Sequence, residues 1–168
     1  MDHLIGEVID NYKLQKIIGR GGMGTVFRAY HSDLQKYAAV KVMNPQLVKQ
    51  PDSYERFLQE ARTAARLDHP NIVNVINFGR LAETYYIMMD YIEGMSLREL
   101  IDQNQGGLEV SDVAHIFSQI GHVLLFAHEE EILHRDLKPD NILITEDAET
   151  DFKALVTDFG LVKMAKDS

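Results

Sequence analysis

His134-Arg135-Asp136-Leu137-Lys138-Pro139-Asp140-Asn141 sits between two largely apolar segments, Glu131-Ile132-Leu133 before it and Ile142-Leu143-Ile144 after it. Such a run of polar and special residues reads as a loop held between buried elements. Downstream, Ile142 to Ile144 and Ala154 to Val156 read as short strands joined by the acidic turn Glu146 to Asp151. Asp158-Phe159-Gly160 follows the second, placing a carboxylate at a strand end with a glycine behind it. On its own that tripeptide means little. Upstream, Val113, Ile116, Phe117, Ile120, Leu124 and Ala127 fall on one face of a long helix that Ser111 and Asp112 can cap.

The first half of the chain has a different texture. Tyr12 to Ile18, Gly24 to Tyr30 and Tyr37 to Met43 read as strands, with Pro45 and Pro51 bracketing a loop. Tyr54, Phe57, Leu58, Ala61, Ala64 and Ala65 recur at helical spacing between Ser53 and Leu67, with Asp52-Ser53 as a cap. Ile72 to Phe78 and Tyr85 to Tyr91 read as two more strands, and Glu93-Gly94 breaks the chain before a short helix near Leu97 to Ile101. Strands with one helix come first and helices follow, with a boundary near Tyr91 to Gly94.

Between the first two strands, Ile18-Gly19-Arg20-Gly21-Gly22-Met23-Gly24-Thr25-Val26 contains Gly-x-Gly-x-x-Gly. Glycines let backbone N–H groups approach phosphate oxygens without a Cβ in the way. A Walker loop needs Lys and Ser/Thr directly after its last glycine, which Thr25-Val26 does not supply. A dinucleotide fingerprint needs a helix next, and here a strand follows. A plain glycine-rich hairpin turn is the remaining alternative. Lys41 lies mid-strand between Val40 and Val42, where an ammonium is costly unless it meets a charge. It is either an edge-strand charge or a cation aimed at phosphate and held by a carboxylate. Glu60 on the following helix is the candidate partner and Glu55 the rival.

The chain has 168 residues, 45% hydrophobic and 26% charged, with a net charge of −9 and no Cys. That composition is globular, argues against sequence-independent nucleic-acid or anionic-lipid binding, and excludes disulfides and thiolate metal sites. The acidic start, Met1 to Glu7, does not resemble a signal peptide, and Val123 to Ala127 is too short an apolar run to span a membrane. A cytoplasmic protein is the expectation. His115, His122 and His128 read as surface or groove residues, and Met88, Met89 and Met95 as packing.

Together, the loop at Gly19 to Val26, Ala38-Ala39-Val40-Lys41, Glu60, His134 to Asn141 and Asp158 to Gly160 resemble the eukaryotic-like protein kinases, including their bacterial Ser/Thr branch. The resemblance runs from about Asn11 to Lys163. It implies an α+β, protein-kinase-like fold. Residues 1–91 would form the complete small lobe, an antiparallel sheet plus one long helix, and residues 92–168 the first part of the helical large lobe. It implies ATP and Mg²⁺ as cofactors and a protein Ser/Thr hydroxyl as acceptor.

By the same resemblance, the loop Ile18, Gly19, Arg20, Gly21, Gly22, Met23, Gly24, Thr25 and Val26 would cover the ATP phosphates, with Val26 on the adenine. Lys41, fixed by Glu60, would hold the α- and β-phosphates. Ala39 and Leu143 would sandwich the adenine, Asp90 to Ile92 would bond its edge, and Met89 would lie behind. Asp136 would accept the hydroxyl proton, Lys138 would contact the γ-phosphate, and Asn141 and Asp158 would hold Mg²⁺. Arg135 resembles the arginine that pairs with an activation-loop phosphate.

After Gly160 only Leu161 to Ser168 remain, so the family's activation segment, its Ala-Pro-Glu motif and the later helices are expected to be absent. That expectation makes this a C-terminally truncated kinase domain. The alternatives are a non-catalytic ATP-binding or interaction module, and a half-domain completed by a partner chain.

Overall fold

A computed structural model describes residues 1–147 and 151–159. Residues 148–150 of the acidic turn, and Gly160 with the segment after it, lie outside the described residues. The chain forms two compact units: Met1–Ala61 with Asn74–Tyr91, and Arg62–Val73 with Ile92–Ser168.

The first unit is built on an antiparallel sheet of β1 (Val8–Ile9), β2 (Tyr12–Arg20), β3 (Gly24–His31), β4 (Lys36–Met43), β5 (Val75–Leu81) and β6 (Thr84–Asp90). Their spatial order is β1-β2-β3-β4-β6-β5. Asp10 and Asn11, at φ 48° and 66°, make the tight turn between β1 and β2. Asp10 also accepts from the Tyr86 hydroxyl at 2.5 Å and from Asn77 Nδ2 at 2.7 Å, tying this turn to β5 and β6. Burial, with the Asp10 carboxylate beside it, pushes the Tyr86 phenol up to about 12. Leu14, Phe27, Ala29, Ala38, Val40, Val42 and Met88 form the core of this unit.

Two helices follow β4. Asn44 caps α1 (Pro45–Val48) by accepting from Gln46 N at 3.1 Å, so a turn of helix stands where the two prolines predict a loop. α2 (Pro51–Arg66) begins earlier than its predicted cap. Proline needs no N–H partner at a helix start, and Ser53 N donates to Gln50 O at 3.0 Å. Asp52 and Ser53 therefore lie inside the first turn. Ile72 falls outside β5 and instead bridges to Val156, while Val73 N donates to Val156 O at 3.0 Å.

The second unit contains β7 (Met95–Ser96), α3 (Leu97–Gln103), α4 (Val110–Glu129), β8 (Ile142–Asp147) and β9 (Asp151–Val156), the three strands pairing in the order β7-β8-β9. Ser96 and Glu99 form a reciprocal capping box on α3. α4 starts at Val110 after Glu109, with no side-chain cap bond, so Ser111 and Asp112 sit within its first turn and not at its cap. Ile116, Ile120, Val123 and Ala127 of α4 join Ile142, Ile144, Val156 and Phe159 in one core.

Phe117, expected on the buried face, is 67% exposed, because the buried stripe runs through Val123 instead. At twenty residues α4 is also long and apolar enough to cross a membrane by length and composition alone. Val123 to Ala127 remains the short apolar run read from the sequence, since His, Ser and Gln interrupt the rest of the helix, and Ile116, Ile120, Val123 and Ala127 are buried in the core of this unit.

Candidate active site

The glycine loop is a β2–β3 hairpin in which Gly19 pairs with Val26 and Arg20 with Thr25. Gly21 N donates to Gly24 O at 2.9 Å, leaving Gly21, Gly22 and Met23 at the tip. The glycines have different reasons to be there. A Cβ on Gly24 would lie 2.3 Å from the Val42 carbonyl, so β3 can approach β4 only without one. Gly22 has open space around its missing Cβ, and Gly21 meets nothing closer than 3.9 Å. Neither has a positive φ. Nothing inside the protein forbids a side chain at these tip positions, which suits backbone amides kept bare for an anion approaching from outside.

Lys41 sits on β4 opposite Val26 on one side and Ile87 on the other. Its Nζ lies 2.6 Å from Glu60 Oε1, both side chains being about nine-tenths buried (11% and 7% exposed). Between the two candidate carboxylates, the register of α2 brings Glu60 to the lysine. Such a pair is geometrically fixed, because separating either charge from its partner in this setting is costly. Ala39 pairs with Met89 across β4 and β6, and both are buried. Asp90 N donates to Asn74 O at 3.0 Å.

In the second unit, Leu143 is the second residue of β8, half-buried and paired with Ser96 and Leu155, and Ile92 follows the first unit's last residue. The loop from His134 to Asn141 is organised by its own side chains. Lys138 Nζ donates to Asp136 Oδ2 at 2.7 Å. Asn141 Nδ2 donates to Asp136 O at 2.9 Å and to its Oδ2 at 3.1 Å. The Lys138 ammonium holds the Asp136 carboxyl below the ordinary carboxylate range, and Asp136 in turn raises the lysine. Asp136 is therefore ionised at neutral pH and able to accept a proton. Both Asn141 bonds use the amide nitrogen, so Oδ1 is the atom offered to a hard cation, and the Asp158 carboxylate supplies the same donor chemistry.

Sequence reading gave no role to the scaffold beneath this loop. His134, 3% exposed, donates through Nε2 to the Thr157 carbonyl at 2.9 Å and accepts from Asp136 N on Nδ1 at 3.3 Å. Its ring packs on Phe159 at 4.6 Å between centroids. Thr157 N donates to Asn141 O at 3.0 Å, so the segment carrying Asp158 is bonded to the loop at both ends. Burial pushes the His134 imidazole below its ordinary pKa. Arg135 and Asp158 adopt φ 60° and 59°, a conformation costly for non-glycine residues and upheld by these bonds. The order His134-x-Asp136 hints at the first contact, but nothing in the sequence marks Thr157.

The family model for the protein kinase domain matches residues 12–168, and the chain belongs to that family. It is 40% identical over 159 residues to the serine/threonine-protein kinase PrkC of Bacillus subtilis, covering 94% of this chain and 24% of that protein. It is 37% identical over 166 residues to the serine/threonine-protein kinase PknH of Mycobacterium tuberculosis, covering 99% and 26% respectively. The chain thus spans about a quarter of the length of the curated relatives it matches. Among solved structures, the Mycobacterium tuberculosis PknI kinase domain aligns with a TM-score of 0.77 at 29% identity, over 95% of this chain and 62% of that one. The apo form of PpkA-294 aligns with a TM-score of 0.80 at 27% identity, over 92% and 60%.

Proposed function

We propose that the protein bearing this chain transfers the γ-phosphoryl group of ATP to a Ser or Thr hydroxyl of a protein substrate, with Mg²⁺ bound, in the cytoplasm. The observation that carries the reading is the Asp136 carboxylate held between Lys138 and Asn141 at hydrogen-bond distance. In this reading the glycine loop and Lys41, fixed by Glu60, bind the phosphates. Ala39, Val26 and Leu143 enclose the adenine, with Met89 behind it, and the backbone from Asp90 to Ile92 bonds its edge. Asn141 and Asp158 hold the metal, whose contribution is to neutralise charge on the phosphate oxygens.

The acceptor hydroxyl oxygen bonds to the γ-phosphorus as the bond to the β–γ bridging oxygen breaks. The hydroxyl proton passes to Asp136, and ADP departs with the electron pair. Lys138 offsets charge on the transferring group, and its bond keeps Asp136 deprotonated until the acceptor arrives.

The test is transfer of label from γ-labelled ATP to a mixed protein acceptor, with the full-length protein and its Asp136→Asn variant. The expected loss is about 10²- to 10⁴-fold, the usual contribution of a positioned base. Label should appear on Ser and Thr and not on Tyr. Undiminished transfer by the variant would remove Asp136 from the mechanism, and ATP binding without any transfer would mark a binding module.

A further inference from the structure

A concavity lies within the second unit, on the sheet β7-β8-β9 beside α3. It has a volume of about 510 Å³ and is lined by Glu93, Met95, Leu100, Ile144, Glu146 and Phe152, together with Gly94 and Thr145. Its walls are fixed. Met95 pairs with Ile144, and Glu146 with Phe152, across the strands. A side chain on Gly94 would sit 2.0 Å from the Ile144 carbonyl, so the chain crosses β8 there as closely as a glycine allows. Thr145 Oγ1 donates to the Glu93 carbonyl at 2.6 Å, pinning the backbone at the groove mouth. Leu100 is carried by α3, whose first turn the Ser96–Glu99 capping box secures.

The chemistry of the groove is divided. Met95, Leu100, Ile144 and Phe152 give an apolar floor. Among the described residues, Glu93 and Glu146, both exposed, are the charges on the lining, which includes no Lys, Arg or His. A groove of this size accepts a few side chains. Its occupant must bring apolar groups for the floor and cations for the rim. Arginine meets both demands, since its stem lies along apolar surface while its guanidinium grips a carboxylate. The net charge of −9 attracts such a partner from a distance.

We propose that this groove is a docking site for a short basic and apolar polypeptide segment of a partner protein, with Arg or Lys side chains on Glu93 and Glu146 and aliphatic side chains on the floor. The lining includes none of the residues assigned to phosphoryl transfer, although Glu93 and Ile144 directly follow Ile92 and Leu143 in the chain, and the proposal does not depend on that reading.

The test is a fluorescence-anisotropy titration of the full-length protein with a labelled peptide of alternating Arg and Leu, against the same peptide with Glu for Arg. The basic peptide should bind at least about ten-fold more tightly, and the difference should shrink at high salt. Glu93→Lys with Glu146→Lys should weaken binding about ten-fold or more, with Glu93→Gln and Glu146→Gln intermediate. Unfolding midpoint and ATP binding should not change, because both side chains are exposed. Equal binding of the two peptides, or binding indifferent to the double substitutions, would overturn the proposal. So would displacement of the peptide by spermine as effective as by unlabelled peptide, since charge alone would then explain it.

Discussion

Lys41 and His134 show how single side chains carry structure and chemistry together. Lys41 and Glu60 are buried and paired at 2.6 Å, so Lys41→Met removes the proposed phosphate ligand and also strips a buried carboxylate of its cation. We expect it to abolish nucleotide binding and to lower stability by about 3 kcal/mol, read from urea denaturation. A variant as stable as the wild type would mean that the pair contributes little to folding. His134 gives the pH dependence. Its folded pKa lies below its unfolded value near 6.5. Both states are neutral well above that value, and on acidification the unfolded state takes the proton first. Stability should therefore fall as the pH drops below about 6.5, levelling off only below the folded pKa. The cause is burial: the residue is 3% exposed, so its charged form loses solvation in the folded state. Urea midpoints between pH 8 and pH 5 should fall more steeply for the wild type than for His134→Asn, and parallel profiles would contradict this.

The glycine hairpin separates two roles that the motif merges. Gly24→Ala would put a Cβ 2.3 Å from the Val42 carbonyl, forcing β3 from β4 and costing roughly 1–3 kcal/mol whether or not nucleotide is present. Gly22→Ala meets nothing within 4 Å and should leave stability within about 0.5 kcal/mol while weakening ATP binding. Thermal melts and ATP titrations of the two variants should show opposite signatures; a stable Gly24→Ala would refute the packing argument. Elements of this kind were legible to different degrees. The apolar run from Tyr37 to Met43, interrupted only by Lys41, marked β4, and the helical spacing from Tyr54 to Ala65 marked α2. Their ends were not marked, since Pro51 can start a helix with no cap and the predicted cap residues were absorbed into the first turn. β1 escaped notice because two residues carry no periodicity. Phe117 was misassigned because α4 is apolar on more than one face, and periodicity cannot choose among apolar stripes.

For the whole chain, the order of motifs identified the family before any geometry was known, because phosphoryl transfer constrains residue type at widely separated points. What the order could not supply was the support beneath them: Thr157 receiving His134, or Asp10 receiving Tyr86, are contacts between residues that no local pattern links. The two units each present half of the proposed chemistry, with phosphate-binding groups in the first and base and metal ligands in the second. That division makes one measurement decisive. The protein is titrated with ATP, with Mg²⁺ and with both while its thermal unfolding is followed, alongside Gly22→Ala from the first unit and Asp158→Ala from the second. If both units serve one nucleotide, ATP with Mg²⁺ stabilises the wild type by about 2.7 kcal/mol at 100 times the dissociation constant, more than either alone, and each variant loses most of that gain. Stabilisation that is indifferent to Mg²⁺ and to Asp158→Ala, or no stabilisation by ATP at all, would contradict the assignment.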